Sequence, residues 1–130
     1  VLEALQELGV THPAVVTPYP DDTNEIEKQF LEHHGFHVVN ISGMGNDYVH
    51  QSITDIEPSH VYQSVKKLDK SGADCLFISC SGLNVLDLID LLETDLNMPV
   101  VTSNQASLWA CLRHSGVGTR IPQLGELFRK

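Results

Sequence analysis

Apolar positions along this chain alternate between helical and strand-like spacing, and the alternation predicts its elements in order. Val1, Leu2, Leu5 and Leu8 recur every three or four residues, the repeat of a helix, and Gly9 stops it. Residues 14–17 predict a short buried strand, closed by Pro18 and Pro20. Asp22, with Glu25 three residues on, has capping-box spacing and opens a helix through about residue 34, ended by Gly35. Residues 36–41 predict a second strand, followed by a loop that holds Gly43, Gly45 and Asn46. Pro58 and Ser59 start a helix through about residue 71, with Val61, Val65 and Leu68 on one face, and Gly72 ends it. Residues 75–79 predict the third strand, and residues 84–96 a helix rich in Leu and Ile. Pro99 introduces the fourth strand, residues 100–102. Ser103 or Asn104 then caps a helix through His114, and a last short helix runs from Gln123 to the end.

Short apolar strands separated by helices indicate a parallel sheet covered on both faces. The fold class expected is α/β: a doubly wound, Rossmann-like, four-stranded parallel sheet with helices on both faces. Two features also suggest an incomplete unit, which leaves either a small self-sufficient domain or one lobe of a larger protein. The chain opens directly on an amphipathic helix with no strand before it, and four strands make a small sheet.

Composition narrows the function classes. With 130 residues, 42% hydrophobic and 19% charged, the chain has the size and balance of a single domain over residues 1–130. Eight Lys and Arg against 17 Asp and Glu leave a net charge of −9, a field that repels phosphate backbones and anionic lipid. Nucleic acid and membrane are therefore not expected as partners, and no apolar run reaches the roughly 20 residues a membrane-spanning helix needs. The first ten residues carry two glutamates and no basic cluster, unlike a signal or transit peptide. Cys75, Cys80 and Cys111 show neither paired spacing nor Cys/His ligand spacing, so neither a disulfide framework nor a metal site is expected. A reducing, cytoplasmic setting fits them. His33 and His34 lie on a charged helix face, and His12 and His60 adjoin turn or cap signals; all four are read as solvated or capping residues.

In open α/β sheets, ligands bind beyond the carboxyl ends of the strands. Those ends read Thr17-Pro18-Tyr19-Pro20, Ser42-Gly43-Met44-Gly45-Asn46, Ser79-Cys80-Ser81-Gly82 and Thr102-Ser103-Asn104-Gln105. All four carry small, hydroxylated or thiol side chains. Cys80 stands out: placed between a buried strand and the start of the helix expected at Asn84, its thiolate would gain from free N–H groups and the helix dipole. Such a thiol suits a nucleophile or a proton donor and acceptor. The alternative reading is a small apolar residue at a crowded turn. Cys75 and Cys111 are expected in the core.

Several familiar motifs are excluded. Gly43-x-Gly45-x-x-Tyr48 lacks the third glycine of a dinucleotide fingerprint and does not follow the first strand, and no GxxxxGK[ST] occurs. The loop after Cys80 has no arginine to hold phosphate, as a thiol phosphatase requires. A phosphoreceiver needs an aspartate where Cys80 stands, and Asp21 and Asp22 are better read as helix caps.

Together, Thr17-Pro18-Tyr19, Cys80-x-Gly82-Leu83, the run from Met98 through Gln105 to Ala106, and Leu108-Trp109-Ala110-x-Leu112-Arg113-x-x-Gly116 resemble the second half of the maleate cis-trans isomerase and arylmalonate decarboxylase group. That group lies within the aspartate/glutamate racemase superfamily, and the resemblance runs over nearly the whole chain. It implies a cofactor-independent enzyme of two similar α/β lobes with the active site between them. It also implies a small carboxylate substrate, Cys80 as the proton-handling thiol, and Tyr19 with the backbone of Ser81 and Gly82 holding a carboxylate. Asn46 matches a substrate-binding asparagine. The first lobe and its cysteine, the nucleophile in maleate isomerase relatives, are not in this sequence. Isomerase, decarboxylase and racemase therefore all stay open, beside a non-catalytic α/β binding domain. The isomerase, acting on a small dicarboxylate, is the leading expectation. The missing N-terminal lobe and a second copy of the chain, in a homo-oligomer, are the protein partners it implies.

Overall fold

The computed structural model describes residues 1–44 and 52–130. Its helices are α1 (Leu2–Glu7), α2 (Asp21–His33), α3 (Pro58–Lys67), α4 (Ile89–Leu96), α5 (Ser103–His114) and α6 (Glu126–Arg129), and its strands are β1 (Pro13–Thr17), β2 (Asn40–Gly43), β3 (Cys75–Ile78) and β4 (Val100–Thr102). The strands form one parallel sheet in the order β2-β1-β3-β4. This is the expected α/β architecture.

Side chains alternate across the sheet, as strand geometry requires. Val15, Cys75, Phe77 and Val101 face α1, α2, α5 and α6, packing with Leu5, Leu31, Trp109 and Phe128. Ala14, Val16, Leu76, Ile78 and Val100 face α3 and α4, packing with Val61, Val65, Ile89 and Leu92. Each fully buried Leu, Ile or Phe contributes roughly 1.5–3 kcal/mol to folding.

The chain leaves β1 for one neighbour through α2 on one face, and reaches the other neighbour, β3, through α3 on the opposite face. Strand order therefore reverses between β1 and β3, and at such a switch point the connections part and leave a crevice beyond the strand ends. The residues that follow β1 and β3 are those around Tyr19 and Cys80.

Strands β1 and β3 shift by one residue at an end, and the helix expected from Gln123 is a 3-10 turn over Pro122–Leu124 followed by α6. Four further features differ from the sequence reading for physical reasons. The second strand begins at Asn40 rather than 36, because its ladder with β1 starts at Ala14↔Asn40 and ends at Thr17↔Gly43. Residues 36–39 run alongside outside that ladder, His37 N–H donating to the Thr11 carbonyl and Val39 N–H to the Pro13 carbonyl. No capping box forms at Asp22. Pro20 occupies the N-cap in extended conformation, and Asp22 Oδ1 accepts from the neighbouring Thr23 N–H. Helix α3 ends at Lys67, where the Lys70 ammonium donates to the Val65 and Leu68 carbonyls, both at 2.6 Å. The helix expected from Asn84 starts as α4 only at Ile89, after a 3-10 turn over Leu86–Leu88. Leu83 and Val85 are both buried with Asn84 exposed between them, a two-residue alternation that helical spacing does not produce.

Cys111 also corrects its expected place in the core. Helix α5 buries Gln105, Ala106 and Trp109, and this stripe leaves Cys111 exposed.

Candidate active site

Cys80 sits directly beyond β3 with φ +152°, a conformation L-residues rarely adopt and one that costs on the order of 1–3 kcal/mol. The neighbouring strand end holds it there. Cys80 N–H donates to Ser103 Oγ at 3.1 Å, and Asn104 Nδ2 donates to the Ser81 carbonyl at 3.0 Å. Both side chains are free to do so because neither caps α5. Thr102 does instead, its Oγ1 accepting from Gln105 N–H at 3.2 Å while Gln105 Oε1 accepts from Thr102 N–H at 3.0 Å. The reciprocal pair is a capping box one residue earlier than the sequence reading placed the cap.

Two donors meet the Cys80 sulfur. Gly82 N–H donates to Sγ at 3.3 Å, and the Tyr19 hydroxyl hydrogen-bonds the same side chain. Because α4 starts at Ile89, the donors at the thiol are a turn N–H and a phenol, and the expected helix-dipole contribution falls away. Tyr19 itself is pushed well above the ordinary phenol range, first by burial, then by its bond to Cys80 and by the negative charges of Cys80 and Glu27. It therefore keeps its proton and remains a donor.

The turn that presents Tyr19 is built from buried polar groups. Thr17 Oγ1 donates to Asn24 Oδ1 and accepts from Tyr19 N–H at 3.1 Å, and Asn24 Nδ2 donates to the Tyr19 carbonyl at 3.3 Å. Thr17 and Asn24 are almost wholly buried. Gly43, at the end of β2, presses on the same turn: a Cβ there would stand 2.3 Å from the Tyr19 carbonyl oxygen and 3.0 Å from Asn24 Nδ2. At Gly82 a Cβ would lie 3.1 Å from Ile53 Cγ2, a tight contact, and at an ordinary 3.5 Å from Cys80 Sγ.

Of the residues singled out from sequence, the structure thus brings Tyr19, Cys80 and Gly82 together. Ser81 lies beside them with its carbonyl held by Asn104. Asn46 lies outside the described residues. Sequence reasoning missed Asn24 and Glu27. Helical spacing from Leu31 places both on the inward stripe of α2, where a polar residue is informative. The Glu27 carboxyl is pushed above the usual range, chiefly by burial, against a hydrogen bond from Ser79 that acts the other way. Cys75, wholly buried at the start of β3, has its thiol pushed far up by burial and then by the Asp74 charge, the opposite of an activated cysteine.

Among the described residues, no group of three or more His, Cys, Asp or Glu side chains is placed to hold a metal ion, and no helix is long and apolar enough to cross a membrane.

A thiol, a protonated phenol and a turn N–H meet at the switch point of a parallel α/β sheet, the place where proteins of this class bind their ligands. The chain belongs to the arylmalonate decarboxylase family, whose profile matches residues 1–128. It is 32% identical over 130 residues to the arylmalonate decarboxylase of Bordetella bronchiseptica, covering 98% of this chain and 54% of that protein. It is 27% identical over 137 residues to the maleate isomerase of Nocardia farcinica, covering all of this chain and 52% of that one. A solved structure of the Nocardia farcinica maleate cis-trans isomerase, a cysteine-to-serine variant with a covalently bound succinylcysteine intermediate, superposes with a TM-score of 0.90 at 25% identity over 98% of this chain and 52% of its own. The chain spans about half the length of the curated relatives it matches. These relatives are enzymes built on an isomerase and decarboxylase scaffold.

Proposed function

We propose that this chain supplies the Cys80 half of a cofactor-independent maleate cis-trans isomerase type of site, acting on a small dicarboxylate. The observation that carries the proposal is the convergence of the Tyr19 hydroxyl and the Gly82 N–H on Cys80 Sγ at the switch point between β1 and β3.

In this reading Cys80 donates and accepts the proton at a substrate carbon. The thiol gives its proton to a carbanion next to a carboxylate, or the thiolate takes one from the adjacent C–H. Before substrate binds, Gly82 N–H and the Tyr19 hydroxyl bond the sulfur. The backbone N–H groups of Ser81 and Gly82, with Tyr19, hold a substrate carboxylate, which fixed dipoles do without the desolvation a lysine or arginine would require. A succinylcysteine in a maleate isomerase relative supports thiol chemistry on this scaffold. A second α/β lobe, adding the remaining carboxylate donors and a nucleophilic thiol, completes the site, in keeping with relatives about twice as long. The 130 residues alone then turn over little or no substrate.

A second reading, decarboxylation of an arylmalonate with Cys80 reprotonating the carbanion, is favoured by the family match and by the 32% identity to a decarboxylase. A substrate panel separates the two. The two-lobe protein is offered maleate, an arylmalonate, and L-aspartate or L-glutamate, with fumarate, carbon dioxide and optical rotation as readouts. Fumarate alone supports the isomerase, carbon dioxide alone the decarboxylase. Turnover of none, by a folded protein, contradicts both. Maleate turnover by the 130 residues alone contradicts the two-lobe part of the proposal.

A further inference from the structure

The first turn of α5 carries two side chains that its own cap does not use, and both reach across to the turn after β3. Cys80 N–H donates to Ser103 Oγ at 3.1 Å, and Asn104 Nδ2 donates to the Ser81 carbonyl at 3.0 Å. Within the turn, Leu83 N–H donates to the Cys80 carbonyl at 3.4 Å. The consecutive peptides Ser79–Cys80, Cys80–Ser81 and Ser81–Gly82 are thus each held by a hydrogen bond.

A trans peptide is planar, and its carbonyl and its N–H point in opposite directions. Among the described residues no peptide is cis. Holding the Ser81 carbonyl towards α5 therefore turns the Gly82 N–H the other way, where it meets Cys80 Sγ at 3.3 Å. Ser103 fixes the peptide before Cys80 in the same manner. With the planes on both sides pinned, Cys80 has little freedom to relax from its φ of +152°. Helix α5 itself has no call for either side chain. Thr102 and Gln105 cap it, and asparagine within a helix is a poorer choice than alanine or glutamate.

We infer that Asn104 and Ser103 are positioning residues of the Cys80 site: Asn104 aims the Gly82 N–H through the peptide shared with the Ser81 carbonyl, and Ser103 locks the Cys80 backbone. This rests on the reading of Cys80 as the proton-transferring group. Without Asn104 the Ser81–Gly82 peptide is free to rotate, and its N–H leaves both the thiol and the place of a substrate carboxylate. Without Ser103 the Cys80 N–H loses its acceptor, and the residue returns to an ordinary φ, carrying the sulfur away from Gly82.

The variant to make is Asn104→Asp in the two-lobe protein. Aspartate has nearly the same shape but cannot donate to a carbonyl. An acidic residue in the first turn of α5, which has none, is also favoured by the helix dipole. A merely structural Asn104 would therefore tolerate Asp, with stability and turnover both kept. The positioning role predicts a urea midpoint little changed but kcat/KM lower by about tenfold or more, the scale of a small misplacement at a reacting centre. The substrate is maleate or an arylmalonate, whichever the protein converts. The Gly82 amide should also exchange with deuterium about tenfold faster or more by NMR, with the amides of β1 and β3 unmoved. Asn104→Ala, a good helix former that also lacks the donor, gives the same reading if the carboxylate disturbs the turn. Ser103→Ala should lower turnover similarly, and Ser103→Thr, which keeps the accepting oxygen, should recover most of it. Turnover within about threefold of wild type in the folded Asp and Ser103→Ala variants, far short of the expected loss, overturns the inference. So does an unchanged Gly82 exchange rate in Asn104→Asp. A mistaken reading of Cys80 shows separately, as undiminished turnover by a Cys80→Ala enzyme, while the exchange rate needs no substrate and still tests whether Asn104 aims that N–H.

Discussion

Replacing Asn24 by Leu is expected to weaken the fold by about 2–4 kcal/mol and to release Tyr19 from the thiol. Asn24 is 4% exposed and Thr17 is fully buried, so water cannot take over what the amide does. The substitution removes the acceptor of the Thr17 hydroxyl and the donor to the Tyr19 carbonyl. Each lost bond is worth about 1 kcal/mol net, and each sheltered polar group left without a partner adds roughly 1–3 kcal/mol, less whatever the turn recovers by opening to solvent. The total is a large share of the roughly 5–15 kcal/mol that holds a domain together. Urea unfolding measures it as a lower midpoint with an unchanged slope. The pair can be separated with Thr17→Val. Because the two side chains share a bond, the double variant should be about 1 kcal/mol more stable than the sum of the single losses implies. An Asn24→Leu loss below about 0.5 kcal/mol, or strict additivity, would refute the reasoning that this network builds the Tyr19 turn.

Other outcomes follow from the same geometry. Gly43→Ala places a Cβ 2.3 Å from the Tyr19 carbonyl oxygen and should destabilise by about 1–3 kcal/mol in the same urea experiment, more than an alanine at Gly118, where nothing lies within 4 Å. Glu93→Ala should lose about 3 kcal/mol or more, since Val100 N–H, Glu126 N–H and Arg129 all lose their acceptor. Of the three thiols, Cys111 and Cys80 should alkylate in the native protein at neutral pH while Cys75 reacts only on unfolding. Asp74 is pushed up by burial but further down by hydrogen bonds from Thr11 and His12, so its pKa in the folded chain lies below the unfolded value. Its contribution is then present above the unfolded pKa and lost as pH falls through the folded one. Asp74→Asn should accordingly flatten the acid limb of stability against pH.

Much of this was legible in the sequence, and the reasons are local. Strand runs such as Cys75 to Ile78, bounded by glycines and prolines, predict a parallel sheet whatever surrounds them, and Tyr19, Cys80 and Gly82 follow from where those strands must end. The misread boundaries depend on tertiary partners instead. The start of β2 is set by its ladder with β1, and the late start of α4 by the burial of both Leu83 and Val85. The cap of α5 went to Thr102 because Gln105 could return its bond, which left Ser103 for Cys80. Asn24 and Glu27 had a usable signal, polar residues on the inward stripe of α2, but which neighbours they meet depends on the β1 and β3 ends lying side by side.

The account rests on Cys80 as the group that moves a proton at carbon. Its most direct test is maleate-to-fumarate conversion by the two-lobe protein, followed by ultraviolet absorbance, with Cys80 intact and with Cys80→Ala. Removing a positioned acid–base group lowers kcat by about 10²–10⁴-fold, and a loss in that range with the fold intact is the predicted result. Turnover by Cys80→Ala within about threefold of wild type, far short of that range, would contradict it.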